Sequence, residues 1–228
     1  MRDYQKFDAY YRELIGDIYP QPPDAWHYEQ TVDIIRNWIS VLTLSSVLDV
    51  GCGEGHAQDM FGCPYTGVAM GDDVARGLLL GRTVFGYDYN FLPYGDESFD
   101  LVFSRHSLEH SPFPIVSLME WHRVSKKWLC VVVPNPSYST WSGQNHYSLA
   151  TPKQMAFWLR RAGWKIQRFK LTDKEFQFLC VKRPRVSSEG WADAPLIHNI
   201  FRFERDELLV DGRDRDATPY IWKENELI

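Results

Sequence analysis

Apolar residues recur along the chain at two periods. WHYEQTVDIIRNWISVL (26–42) sets Val32, Ile35, Trp38, Ile39 and Leu42 near one face, the spacing of an amphipathic helix. From residue 46 onward, short apolar runs alternate with helical stretches. SVLDVG (46–51), YTGVAM (65–70), TVFGYD (83–88), SFDLVFSR (98–105) and WLCVVVPNP (128–136) read as strands. The last is apolar without a break, as expected for a strand covered on both faces. Between the strands lie a short helix over 55–61, a helix over 72–80 and an amphipathic helix over 113–125. TPKQMAFWLRRAGW (151–164) predicts a helix capped by Thr151, with Pro152 in its first turn and Gly163 at its end. KIQRFKL (165–171) and EFQFLCVKR (175–183) flank the short TDK turn and predict an antiparallel hairpin. Alternation of this kind predicts a layered α/β sheet with helices on both faces.

The two ends carry less pattern. Residues 1–19 look helical, and Pro22 and Pro23 in YPQPPD (19–24) stop any helix there. Residues 184–228 are charged and aromatic without periodicity, fitting a surface extension, a lid or an oligomer arm. With 30 acidic against 25 basic residues the net charge is −5, against the basic face that duplex nucleic acid requires. No apolar run approaches a membrane span, and MRDYQKFDAYYREL is too charged for a signal peptide. Four cysteines without a CxxC pair read as reduced thiols, so a cytoplasmic location is expected.

The first chemistry-bearing segment is VLDVGCGEG (47–55). Gly51, Gly53 and Gly55 follow a buried strand, where absent side chains let backbone approach a ligand. The spacing is GxGxG, not the GxGxxG of a dinucleotide loop, which argues against a nicotinamide oxidoreductase. Asp49 favours a cationic or amino-bearing ligand over a phosphate.

Together with LPYGDESFDLVFSRHSLEH (92–110), RVSKKWLCVVVPNP (123–136) and FWLRRAGW (157–164), this segment resembles the class I S-adenosylmethionine-dependent methyltransferases, of the type 11-like kind, over about residues 26–183. The resemblance implies a Rossmann-like fold: a seven-stranded, mostly parallel sheet ending in an antiparallel hairpin. A methyltransferase domain over 1–183 follows, with 1–45 lying over the cofactor site and 184–228 as a C-terminal extension. By position, Asp49, Gly51, Gly53 and Gly55 would meet the methionine and ribose of S-adenosylmethionine. Asp88 would face the adenine amino group with Tyr89 beside the ring, and Ser104 and Arg105 would lie beneath the methionine. The family's ribose-binding acid after the second strand is replaced by Ala69, so Asp72 or Asp73 would reach in instead, unless they only cap their helix.

HSLEH (106–110) adds His106, Glu109 and His110 at i, i+3 and i+4, on one side of any helical turn that follows the strand. His146 follows the fifth strand. The arrangement resembles the ExxEH run of the metal-dependent small-RNA 2′-O-methyltransferases and ubiquinone-pathway O-methyltransferases, with His106 in place of a Glu. His106, Glu109, His110 and His146 are therefore candidate ligands for a divalent transition metal. Such an imidazole-rich set suits Mn, Fe, Co or Zn better than Mg. The other reading is a pair of structural hydrogen bonds from Glu109 and His110, with His106 or His146 as general base. His122 reads as a surface residue, and His56 is left unassigned. Tyr138, Trp141, Tyr147 and Trp26 could wall an acceptor site or simply pack. The expected activity is O-methylation of a small molecule, glycan or nucleotide hydroxyl. The alternative is a non-catalytic cofactor-binding regulatory or partner subunit. The acceptor and the oligomeric state are not readable from the sequence.

Overall fold

In the computed structural model, residues 25–137, 146–172 and 174–183 are described, with side chains from Val32 onward. The elements run α1 (Ala25–Ile39), β1 (Val47–Val50), a 3-10 turn (His56–Met60), β2 (Tyr65–Ala69), α2 (Asp72–Leu79), β3 (Val84–Gly86) and β4 (Phe99–Arg105). A second 3-10 turn (Leu108–His110), α3 (Pro114–Val124), β5 (Ser125–Pro134), α4 (Pro152–Arg161), β6 (Trp164–Leu171) and β7 (Glu175–Lys182) follow.

The seven strands form one sheet in the order β3-β2-β1-β4-β5-β7-β6. The first five pair in parallel. β7 inserts antiparallel between β5 and β6, so the predicted hairpin stands but its second strand lies inside the sheet. The chain builds outward from β1 through β2 to β3, then returns to β4 on the other side of β1. That reversal opens a crevice at the carboxyl ends of β1 and β4, the place where open α/β sheets bind ligands.

Both faces of the sheet are covered. One buries Trp121, Met155, Leu159 and Phe178 beneath α3 and α4. The other buries Ile35, Trp38, Phe61, Phe103 and Leu179 beneath α1 and the first 3-10 turn. Val32, Ile35, Trp38 and Ile39 are all buried, and Leu42 packs against them, as the helical spacing of 26–42 predicts. Thr151 caps α4 through a complete capping box with Gln154.

Three local expectations change. β5 begins at Ser125 rather than Trp128, because Ser125 is already extended where α3 ends. The helix expected over 55–61 is a tighter 3-10 turn. His122 is buried, not on the surface: its Nε2 lies 2.7 Å from the Arg183 carbonyl and its ring meets Trp164 edge-on. The helix over 1–19, the stop at 19–24, the side chain of Trp26, residues Tyr138 and Trp141, and the 184–228 extension lie outside the described residues. Among the described residues no helix is long and apolar enough to cross a membrane.

Candidate active site

The glycine segment forms a bend held from two sides. Gly51 and Cys52 both donate backbone N–H to the Val68 carbonyl, at 2.9 and 3.0 Å. Ser107, just past β4, donates its hydroxyl to the Gly51 carbonyl at 3.1 Å. Gly51 and Gly53 have φ of 70° and 54°, the left-handed region that glycine enters without penalty. Their surroundings differ. A Cβ on Gly51 would fall 1.9 Å from Ser107 Oγ, whereas a Cβ on Gly53 would meet only Asp73 Oδ2, at 3.8 Å. Gly51 thus has no room because of the protein itself, while backbone at Gly53 is open to close approach. Gly55, at φ 82°, starts the 3-10 turn, and its Cβ would press on Val84.

Asp49, the next-to-last residue of β1, lies on the α1 side of the sheet. It is buried and accepts a hydrogen bond from Tyr65 Oη at 2.7 Å. Burial pushes its carboxyl up to about 7, against the opposing pull of the Tyr65 bond and the Arg105 charge. Ala69 is buried at the end of β2, so that strand offers no carboxylate. At the start of α2, Asp72 is exposed, while Asp73 pairs with Arg76, which also pairs with Glu54 at 2.6 Å. Asp88 Oδ1 accepts from the backbone N–H and the side-chain amide of Asn90, at 2.8 and 2.9 Å, closing a turn after β3. Tyr89, expected beside the adenine ring, is buried. It packs edge-on against Trp121 and donates its hydroxyl to the Ser107 carbonyl at 2.9 Å. Ser104 is fully buried on β4, and its hydroxyl has no hydrogen-bond partner among the described residues. His56, just past the bend, lies 3.3 Å from Glu54.

Past β4, the second 3-10 turn gathers a second set of groups. Glu109, His110 and His146 bring one ligand atom each within 4.8 Å of one another. The rings of His110 and His146 meet edge-on at 4.7 Å. Glu109 is only 1% exposed, and neither carboxylate oxygen has a hydrogen-bond partner among the described residues. Burial pushes its carboxyl up to about 8, with its own backbone N–H and then the Arg105 charge lowering it and Glu175 raising it. A buried carboxylate with so little hydrogen bonding is costly unless a proton or a cation joins it.

His106 does not join that group. The helical turn starts only at Leu108, and His106 itself takes a left-handed φ of 50°. Its ring turns to Glu175, with Nε2 2.6 Å from Oε1, leaving Nδ1 3.5 Å from Glu109 Oε1. The i, i+3, i+4 spacing of HSLEH puts the three groups on one side only of a helical turn that begins at His106, and the turn begins two residues later. Arg105 also reaches Glu175 Oε1, at 2.9 Å.

Glu175 and its neighbour Gln177 escaped the sequence reading. Both are buried polar residues on β7, on the same face as Leu179 and Phe103. The available signal is EFQF, two polar side chains at alternate positions of a strand that is otherwise apolar up to Val181.

A methyltransferase domain family model matches residues 48–128. Comparison with curated proteins gives no match. Among solved structures, the [4+2]-cyclase SpnF aligns with a TM-score of 0.61 at 16% identity, covering 73% of this chain and 85% of that one. The methyltransferase found in complex with the Trm112 activator of Haloferax volcanii gives 0.60 at 14% identity, covering 76% and 98%. Magnesium protoporphyrin IX methyltransferase from Synechocystis, solved with bound S-adenosylhomocysteine, gives 0.56 at 18% identity, covering 79% and 97%. Residues 48–128 of this chain therefore carry a methyltransferase domain, set in the fold of the class I S-adenosylmethionine-dependent methyltransferases.

Proposed function

We propose that the protein is an S-adenosylmethionine-dependent methyltransferase acting on a hydroxyl of a small molecule, glycan or nucleotide, with a divalent transition metal beside the acceptor. The observation that carries this reading is one hydrogen bond. Ser107 ties the Gly51 bend directly to the turn bearing Glu109 and His110, so a donor seated on the bend and an acceptor at the imidazoles would be neighbours.

When bound, S-adenosylmethionine supplies a methyl group on a sulfonium, and a divalent ion lowers the pKa of a hydroxyl it touches. The chain's own part is binding and alignment, which contributes several kcal/mol to such a displacement. Open backbone at Gly53, with Gly51 and Gly55 shaping the bend, would take the methionine end. Asp49 would offset its positive charge, and Ser104 and Arg105 close the floor. Asp72 or Asp73 would take the ribose role that Ala69 leaves empty, Asp73 Oδ2 lying beside Gly53, and Asp88 would serve the adenine. Glu109, His110 and His146 fit a metal on the strength of the orphaned Glu109 oxygens. One oxygen and two nitrogen donors suit Zn, Mn, Fe or Co rather than Mg.

Calorimetric titration with S-adenosylhomocysteine tests the donor half: affinity in the micromolar range is expected, and no binding at millimolar ligand removes the reading. Elemental analysis tests the acceptor half. About one transition metal per chain is expected, lost in His110→Ala and in His146→Ala; a metal-free protein that also fails to take up Co²⁺ removes the metal. The competing partner-subunit reading draws on Ala69, and tight cofactor binding without turnover on any acceptor pool would support it.

A further inference from the structure

Helix α2 is seated directly on the glycine bend. A Cβ on Gly77 would fall 3.0 Å from the Glu54 carbonyl oxygen and 2.9 Å from Val84 Cγ2, so glycine at 77 is what lets the helix come so near. Asp73 lies one turn before Gly77, on the same side of the helix. It faces the bend there: its Oδ2 is 3.8 Å from the point where Gly53 would carry a Cβ. Asp72, turned by about 100° from it, is exposed. The helix starts from Gly71, so neither aspartate occupies the N-cap.

Arg76 fixes the Asp73 carboxylate. Its Nη2 donates to Asp73 Oδ1. Its Nε donates to Glu54 Oε1 at 2.6 Å. Glu54 belongs to the bend itself, between Gly53 and Gly55. One planar guanidinium thus ties the first turn of α2 to the bend, with its donors in a fixed fork. Drawing Oδ1 to Arg76 leaves Oδ2 on the Gly53 side. At 27% exposure the Asp73 side chain stays within reach of a ligand. A carboxylate oxygen has two lone pairs and can accept from both hydroxyls of a vicinal diol, which the buried Ala69 at the end of β2 cannot.

We infer that Asp73 takes the ribose diol of the methyl donor in place of an acid on β2, and that Arg76 is the positioning residue that holds its carboxylate against the bend. The identity of the donor rests on the methyltransferase reading; the placement of the carboxylate does not. Of two adjacent aspartates, one is turned to the bend and clamped, and the other is left to solvent. Diol recognition then depends on an ion pair between side chains of α2, rather than on the carboxyl end of a buried strand.

The test is calorimetric titration of the full chain with S-adenosylhomocysteine and with its 2′,3′-dideoxy form, which lacks only the two hydroxyls. The wild type is expected to prefer the first by about tenfold or more, the worth of hydrogen bonds to a charged acceptor. Asp73→Ala is expected to abolish that preference while its affinity for the dideoxy form stays within about threefold of wild type, which also shows the bend to be intact. Arg76→Met keeps the stem of the side chain and removes the fork. It is expected to shrink the preference by about threefold or more, again with little change for the dideoxy form. A purely structural role for the Asp73–Arg76–Glu54 pairs would lower both affinities together, and that result overturns the assignment. A preference kept in Asp73→Ala, or lost in Asp72→Ala, overturns it as well. Should Asp73→Ala not fold, Arg76→Met decides, an unchanged preference being the overturning result. A wild type that binds both ligands equally removes the assignment alone; one that binds neither removes the methyltransferase reading and the assignment with it.

Discussion

The bend after β1 and the cluster after β4 lie side by side, yet they are built from different material. The bend is backbone: three glycines within five residues, fixed by N–H groups on Val68 and one hydroxyl from Ser107. The cluster and its support are side chains drawn from distant parts of the chain. Glu109 and His110 come from the 3-10 turn, His146 from the approach to α4, and Glu175, which holds His106, from β7. A site made of backbone needs its few residues adjacent in sequence. A site made of side chains needs the whole sheet order to bring them together.

The sharpest way to break that comparison is inside the bend, where Gly51 and Gly53 look equivalent in sequence. Gly51→Ala puts a methyl 2.5 Å from Ser107 Cβ at a φ of 70°. Overpacking and backbone strain together are expected to cost about 3–5 kcal/mol in urea unfolding. Gly53→Ala makes only an ordinary contact, with Asp73 Oδ2 at 3.8 Å, at a φ of 54°. Its stability cost should stay near the ~1–2 kcal/mol of a left-handed alanine, while S-adenosylhomocysteine affinity falls about tenfold or more. Equal stability losses at the two positions would mean that both glycines serve only the fold.

This contrast also marks how far the sequence could be read. VLDVGCGEG announces its bend because strand, turn and glycines are contiguous. The helix α4 is equally legible, since Thr151, Pro152 and Gln154 carry its cap locally. The Glu175–His106 contact is not legible in that way. It exists only because β7 inserts between β5 and β6, which the hairpin pattern of 165–183 does not specify. His106 was misplaced for a related reason. Its spacing to Glu109 and His110 suits a helix, and only the left-handed residue between strand and turn breaks that spacing. EWHRV has the look of a surface turn of helix, yet the Trp164 ring packs edge-on against His122.

Asp49 belongs to the bend by sequence and to the buried charges by environment, so its titration tests where the division falls. Its folded carboxyl titrates near 7, against 3.8 when unperturbed. Between those values the folded state holds the proton that the unfolded state has released. Stability is then fully present at pH below about 4 and declines as pH rises through 7, by up to roughly 1.4 kcal/mol per unit of separation. Asp49→Asn retains an acceptor for Tyr65 and is expected to flatten this slope in denaturation curves taken from pH 4 to 8. The same proton bears on the donor. S-adenosylmethionine should gain affinity as pH rises through 7 by more than S-adenosylhomocysteine, whose sulfur is neutral, and Asp49→Asn should remove the difference. A pH-independent ratio of the two affinities in the wild type would place Asp49 out of reach of the sulfonium.

The smallest expected effect separates the two regions most cleanly, because it enters from the far side of the cluster. Thr151 accepts the Gln154 N–H at 3.3 Å at the exposed start of α4. His146 lies only five residues earlier, and the connecting segment is pinned by Ser148 N–H on the Glu109 carbonyl at 2.9 Å. Thr151→Ala removes the cap and should lower stability by about 1 kcal/mol in thermal or urea unfolding. The bend is held instead by Val68 and Ser107. Affinity for S-adenosylhomocysteine is therefore expected to be unchanged, while Co²⁺ affinity falls a few-fold as the anchor of His146 loosens. If both affinities dropped together, the bend and the cluster would be a single cooperative unit, and the Ser107–Gly51 hydrogen bond would be the coupling between them.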